Sequence, residues 1–401
     1  MAQKTLNELF DSFLSQQPHF SRKDALQETY TPESLPHREE QMNQLASILA
    51  PALRGEKPSN IFLYGKTGTG KTAASKYVGQ ELEKKAAERG TILRTSYINC
   101  KMEKVNTTYR VLSRFFMDMN FKGEAELPVT GLPTDVIYRK LVSALDKNAG
   151  VYLLLLDEID AITDPDVLYD LTRINTDLKN AKISIIGISN DLSFTNTLDP
   201  RIKSSLSEEE LVFPPYNAIQ LQDILTQRAQ IALQAGVLEG ATIPKCAALA
   251  AQEHGDARRA LDLLRVACEI AERNGETKTT EAHVSMAQKK LDIDRVIEVA
   301  KTQPRQSQLV LYSIVYLHDL NKEDIGTGEV YEVYQNFCKQ SGLDSLTQRR
   351  VSDLISELDM LSLISTSVIS KGRYGRTRKI KLEINGTALD RCREVLNREL
   401  L

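Results

Sequence analysis

Apolar residues fall along this chain in three successive regimes. From about residue 38 to residue 190, short continuous apolar runs alternate with stretches whose apolar positions recur every three or four residues. "NIFLYG", "TILRTSYIN", "VYLLLLDEID" and "ISIIGISN" are the continuous runs, and they read as strands buried on both faces. The periodic stretches predict helices from about Arg38, from Gly70 to about Arg89, and near 107–119, 134–147 and 166–179, with Gly55 and Gly90 just past the ends of the first two. Apolar strands separated by helices are the pattern of a parallel sheet with both faces covered, so residues 21–215 predict one α/β domain. "FPPYN" ends that regime. From there the pattern is helical only, with Leu221, Ile224, Leu225, Ala229 and Leu233 on one stripe and Ala257, Ala260, Leu261, Leu264 and Ala267 on another, which predicts a small helical domain over 216–296.

The third regime, 297–401, changes period within itself. "TGEVYEVYQNFCKQSG" reads as a helix packing Val330, Val333, Tyr334 and Phe337. After a short turn, "SLTQRRVSDLISELDMLSLI" opens with Ser345 and Gln348 at capping-box spacing and buries Val351, Leu354, Ile355 and Leu358. "STSVIS" and "TRKIKLEI" then alternate about a glycine-bearing tip, as a hairpin does. Helix, turn, helix and hairpin predict a winged helix, with Thr347, Gln348 and Arg349 on the solvent face of its second helix. At the other end of the chain, residues 1–20 form a polar arm with one short apolar piece, Leu6, Leu9, Phe10, Phe13 and Leu14.

Charge sharpens this picture. The formal net charge is only -3 over 401 residues, so attraction to nucleic acid has to come from a local patch. "SKGRYGRTRKIKL" supplies one on the hairpin, where Lys371, Arg373, Arg376 and Arg378 can follow phosphates and Tyr374 can add an apolar contact. No apolar stretch of about 18 residues and no leader-like N-terminus is present, which predicts an intracellular protein with no membrane partner. The five cysteines are scattered and never spaced C-x-x-C, so neither a disulfide framework nor a zinc site is expected.

The chemistry lies in the first regime. "GKTGTGKT", Gly65 to Thr72, follows an apolar strand and opens a helix, as a phosphate-binding loop requires. Its backbone N–H groups and the helix dipole would hold phosphate through Gly68, Thr69, Gly70, Lys71, Thr72 and Ala73. Lys71 would neutralise the β- and γ-phosphates, and Thr72 would join Asp157 in holding a magnesium ion. Glu158, beside Asp157 at the end of a buried strand, can orient or deprotonate an attacking water, and Asn190, at the end of the next strand, can hold it. Arg201 in "LDPRIKSSL" and Arg258 in "GDARRAL" are guanidinium groups suited to phosphoryl-transfer charge.

This order of phosphate loop, "DEID", strand-terminal Asn, "DPR" and "GDARRAL" resembles that of AAA+ ATPases. "YTPESLPHRE", "YGKTGTGKT" and "GDARRALDLLR" are similar to the archaeal initiator branch, relatives of the eukaryotic origin recognition complex and of cell division control protein six. The resemblance covers the chain from about residue 21. It implies a parallel-sheet ATPase domain with a helical lid and a C-terminal winged helix, binding ATP or ADP with magnesium. Tyr216 and Arg228 would contact the nucleotide, Arg258 would sense the γ-phosphate from the lid, and Arg201 would be a finger offered to a neighbouring copy; Leu206 stands where eukaryotic members often carry a second arginine. An insertion in the same family touches DNA, and here it would include Arg110 and Arg114. The implied function is a slow, switch-like ATPase that binds double-stranded origin DNA and helps load the replicative helicase in the cytoplasm, at the nucleoid. Two other readings stay open: a winged-helix transcriptional regulator that holds ADP structurally, and a clamp-loader subunit.

Overall fold

The computed structural model describes residues 17–400 apart from 29, 31, 33, 122–130, 163, 321–324, 371–375 and 385. The chain divides into two compact units, one running to Val284 and the other Ser285–Leu401. The expected arm residues Leu6 to Leu14 lie outside the described part.

In the first unit, α1 (Glu39–Leu49) leads to β1 (Ile61–Tyr64), α2 (Lys71–Glu88), β2 (Leu93–Asn99), α3 (Thr108–Met119), α4 (Thr134–Lys147) and β3 (Val151–Asp157). Then come α5 (Pro165–Arg173), β4 (Lys182–Ser189), two short helices α6 (Phe194–Thr197) and α7 (Pro200–Leu206), and β5 (Glu209–Val212). The strands form one parallel sheet in the order β2-β3-β4-β1-β5. Side chains alternate across a strand, so β3 sends Tyr152, Leu154 and Leu156 into a core with Val111, Phe115, Leu141 and Leu145. Leu153 and Leu155 face the opposite way, into a core with Leu45, Ala74, Val78 and Phe213. Burial on both sides is why β3 reads as an unbroken apolar run.

Two details depart from the sequence expectation. The helix expected over 166–179 stops at Arg173 and tightens into a 3-10 turn, Ile174–Thr176. The fifth strand, β5, gave no apolar signal because its residues Glu209 and Glu210 are exposed at the edge of the sheet.

The lid is built from α8 (Ala218–Ala232), α9 (Thr242–Gln252) and α10 (Ala257–Arg273), and α11 (Glu281–Thr302) follows. Residues 19–28 pack on these lid helices, although the sequence grouped 19–20 with the arm and 21–28 with the sheet. Phe20 bridges Leu233, Ser21 and Arg22 donate backbone N–H groups to Ala232, Lys23 pairs with Glu269 at 3.0 Å, and Ala25 and Leu26 are buried.

The second unit packs α12 (Arg305–Asp319) against α13 (Thr327–Gln340), α14 (Gln348–Met360) and α15 (Gly386–Leu400). The strands β6 (Ile325–Gly326), β7 (Ile364–Ser370) and β8 (Arg376–Leu382) form an antiparallel sheet in the order β6-β8-β7. The helix-turn-helix is α13 with α14, and the hairpin is β7 with β8. Thr347, not Ser345, caps α14: its hydroxyl accepts the N–H of Arg350 at 3.4 Å. All five cysteines are buried free thiols. No helix among the described residues is long and apolar enough to cross a membrane.

Candidate active site and nucleic-acid interface

The phosphate loop joins β1 to α2 and is shaped by its glycines. Gly70 caps α2 at φ 92, a left-handed conformation that side chains disfavour. Gly68, at φ 68, lies so close to Asp256 at the start of α10 that a Cβ there would overlap the carboxylate. Lid and loop meet at this point, and Ala257 N–H also donates to the Gly68 carbonyl at 3.2 Å.

Lys71 is buried, and its ammonium donates to the carbonyls of Gly65 (2.7 Å) and Lys66 (2.8 Å) and to Asn190 Oδ1 (2.9 Å). Burial pushes its pKa down to about 8, against the pull of Asp157; the neighbouring positive charge of Arg258 pushes the same way as burial. Lys71 and Asn190, each expected at the nucleotide site, are thus in direct contact.

Thr72 donates its hydroxyl to Asp157 Oδ2 at 2.7 Å. Tyr97 on the adjacent strand donates to the same oxygen at 2.8 Å, and Lys76 lies 3.3 Å from the centre of the Tyr97 ring. No cluster of three acidic, histidine or cysteine ligands occurs among the described residues. One hydroxyl and one carboxylate fit a hard cation that takes most of its ligands from water and phosphate, which is how magnesium is usually held. Glu158 sits next to Asp157 in a left-handed conformation, φ 50, and its Oε2 is buried without a hydrogen-bond partner. Strain and an unpaired acceptor at one residue are features of functional sites.

The lid residues are arranged less simply. Tyr216 is 5% exposed, and the guanidinium of Arg38 covers one face of its ring at 3.8 Å. Tyr216, which the resemblance implies would contact the nucleotide, therefore has that face of its ring covered in this conformation. Arg228 is buried over the Tyr30 ring at 4.5 Å and donates to the Tyr30 carbonyl at 3.3 Å, while its Nη1 has no partner. Arg258 is half-exposed, 3.9 Å from Glu28. Arg201 is exposed on α7, and its side chain has no ion pair or hydrogen bond among the described residues; Asp199 caps that helix through the Arg201 N–H at 2.8 Å.

Sequence reasoning missed Arg38, Tyr97 and Asp256. Arg38 carried a usable signal, because a cation at a helix N-terminus opposes the dipole and calls for another partner. Tyr97 and Asp256 belong to no spacing rule.

On the second unit, Thr347, Gln348, Arg349 and Arg350 are all exposed in the first turn of α14. Arg350 pairs with Glu357 at 3.3 Å, while Arg349 has no ion pair or hydrogen bond through its side chain among the described residues. Arg378, expected to follow phosphates, instead donates to the Ser352 carbonyl (3.3 Å) and to Ser356 Oγ (2.7 Å) on α14. Lys371, Arg373 and Tyr374 lie outside the described residues, and Arg376 is described only as backbone in β8. In the first unit, Arg114 pairs with Glu103 at 2.7 Å and Arg110 donates to the Lys104 carbonyl at 2.8 Å, so both have structural partners.

Residues 34–180 match the description "AAA ATPase domain", residues 222–289 "Cdc6 AAA+ ATPase-type lid domain", and residues 298–390 "CDC6, C terminal winged helix domain". The chain is 53% identical over 385 residues to the ORC1-type DNA replication protein 1 of Methanosarcina mazei, covering 95% of this chain and 92% of that one. It is 54% identical over 382 residues to the ORC1-type DNA replication protein of Pyrococcus abyssi, covering 94% and 91%. Among solved structures it is similar to the Aeropyrum pernix ORC1 protein in complex with DNA, with a TM-score of 0.85, 46% identity and coverage of 96% and 99%. Cdc6p from Pyrobaculum aerophilum, at 23% identity, TM-score 0.59 and coverage of 96% and 100%, shares the fold.

Proposed function

We propose a function from one premise: this chain belongs to the family of ORC1- and Cdc6-type DNA replication proteins. It carries that family's AAA ATPase, lid and winged-helix domains. In our reading it binds double-stranded DNA at replication origins under the control of bound ATP or ADP, and helps to load the replicative helicase. The observation that carries this reading is the presence, in one chain, of an assembled Lys71–Asn190 and Thr72–Asp157 constellation and of an exposed Thr347–Arg349 turn on a winged helix. The DNA complex of the Aeropyrum ORC1 protein supports it.

At the site, the loop amides and the N-terminus of α2 bind the phosphates, and Lys71 faces their negative charge. Thr72 and Asp157 would hold magnesium, whose chemistry is to neutralise charge on the transferred phosphoryl group. Glu158 orients the attacking water with its unpaired oxygen, and Asn190 fixes the other side of that water. Arg201 reaches a neighbouring copy, and Arg258 reads the state of the phosphates from the lid. Hydrolysis acts as a switch: a ligand that binds one lid state better shifts the population toward it. The domains divide near residues 215 and 296, and residues 19–28 belong with the lid and not with the sheet domain that follows them.

The test is protection footprinting on chromosomal fragments from the host, with ATP, with ADP and with the Glu158→Gln protein, which should retain ATP without turning it over. Discrete protected sites whose extent differs between ATP and ADP are expected, with the Glu158→Gln pattern held in the ATP form. The same footprint in both nucleotides, together with tightly held ADP and no turnover, would favour a regulator that keeps nucleotide as a structural ligand.

A further inference from the structure

Arg38 is the least expected charge in the first unit. It is 2% exposed, and no carboxylate lies at ion-pairing distance among the described residues. Taking a guanidinium out of water is costly unless its donors are met. Here they are met by backbone carbonyls drawn from separate places. Nε donates to Thr69 of the phosphate loop at 2.8 Å, Nη1 to His37 at 3.0 Å, and Nη2 to Pro214 in the turn that leads into the lid. The flat face of the group rests on Tyr216, 3.8 Å from its ring centre, with Phe213 farther off at 5.9 Å.

The preceding residue also reaches the lid. His37 is held in the left-handed region at φ 63, a conformation that costs a non-glycine residue energy. Its ring nitrogen Nε2 lies 2.9 Å from Asp223 on the lid helix α8. Two successive residues thus reach to the lid and to the loop, and the chain accepts backbone strain between them.

A guanidinium is a rigid planar fork, so acceptors bound to its nitrogens cannot shift independently. Thr69 O belongs to the loop that would rearrange around phosphate. Pro214 O and the Tyr216 ring belong to the hinge on which the lid turns. We propose that Arg38 is a positioning residue that ties the orientation of the lid to the conformation of the phosphate loop, through the Thr69–Arg38–Pro214 fork and the stack on Tyr216. This rests on the reading of the site as a nucleotide site. Nucleotide settling into the loop then draws the lid into place, and release of the lid loosens the loop.

The test uses the full chain, a fluorescent ADP analogue with magnesium, and the variants Arg38→Met and Arg38→Lys. Two quantities are read: the rate of ADP dissociation, and amide exchange over residues 254–258, where Ala257 N–H meets the Gly68 carbonyl. In the unaltered chain, ADP should raise protection of that segment. Both variants should release ADP at least about tenfold faster, the effect of losing roughly one charge-assisted hydrogen bond. In both, ADP should no longer raise the protection. Arg38→Lys keeps the charge and loses the fork, so rescue by lysine would overturn the proposal. So would dissociation and protection at the unaltered values in both variants. Protection of β3 reports folding, and if Arg38→Met loses it, the lysine variant alone decides. An unaltered chain that takes up no ADP would overturn the nucleotide reading, and this inference with it.

Discussion

Lys71 is a cation that the fold has made easy to neutralise. Its ammonium titrates near pH 8 in the free chain and near 10.5 when unfolded, so the unfolded state binds more protons between those values. Stability from this group therefore rises with pH across that window. A bound polyphosphate favours the charged form, so affinity should show the opposite trend and fall as pH rises through about 8. Calorimetric titration with ADP in buffers of different ionisation enthalpy checks this: proton uptake is expected at about pH 9 and little at about pH 7. Lys71, Thr72, Asp157 and Asn190 were legible from sequence because phosphate chemistry forces their types to the ends of strands and the start of a helix. Arg38, Tyr97 and Asp256 were not, because each acquires its partner only when segments distant in sequence are folded together.

Among the elements, the winged helix shows most clearly what periodicity can and cannot reveal. The buried stripe of α14 was readable, since Val351, Leu354, Ile355 and Leu358 recur at helical spacing. Its first residue was not, because Ser345 and Thr347 are both capping types and only the folded turn selects Thr347. The two-residue strand β6 is too short to leave a pattern. Arg378 has a consequence for binding. Its bonds to Ser352 and Ser356 fix the hairpin to α14, so Arg378→Met should loosen the hairpin without removing a phosphate contact. Affinity for a specific duplex should fall while the slope of log affinity against log salt stays unchanged; loss of a phosphate contact would make the slope shallower by about 0.9. Arg349→Ala should weaken the specific duplex relative to random DNA by about 1–3 kcal/mol. Fluorescence anisotropy over a salt series measures both.

For the whole molecule, the three regimes of the sequence correspond to sheet, lid and winged helix, yet the chain's course is less tidy than its pattern. Residues 19–28 precede the sheet in sequence and pack on the lid, a placement that no local periodicity announces. Leu26 anchors them at 1% exposure. Leu26→Ala should cost about 2–5 kcal/mol, as buried leucine truncations do. Urea denaturation followed by circular dichroism should show the earlier midpoint.

The sheet also has an open end. Among the described residues β5 pairs on one side only, with β1, and it exposes Glu209 and Glu210. A second copy pairing along this edge would set these carboxylates against its own, at a cost in like-charge repulsion. The open edge is thus closed to strand exchange by repulsion, as edge strands must be if a sheet is not to recruit its own kind. Copies held at high local concentration are thereby discouraged from pairing through this edge.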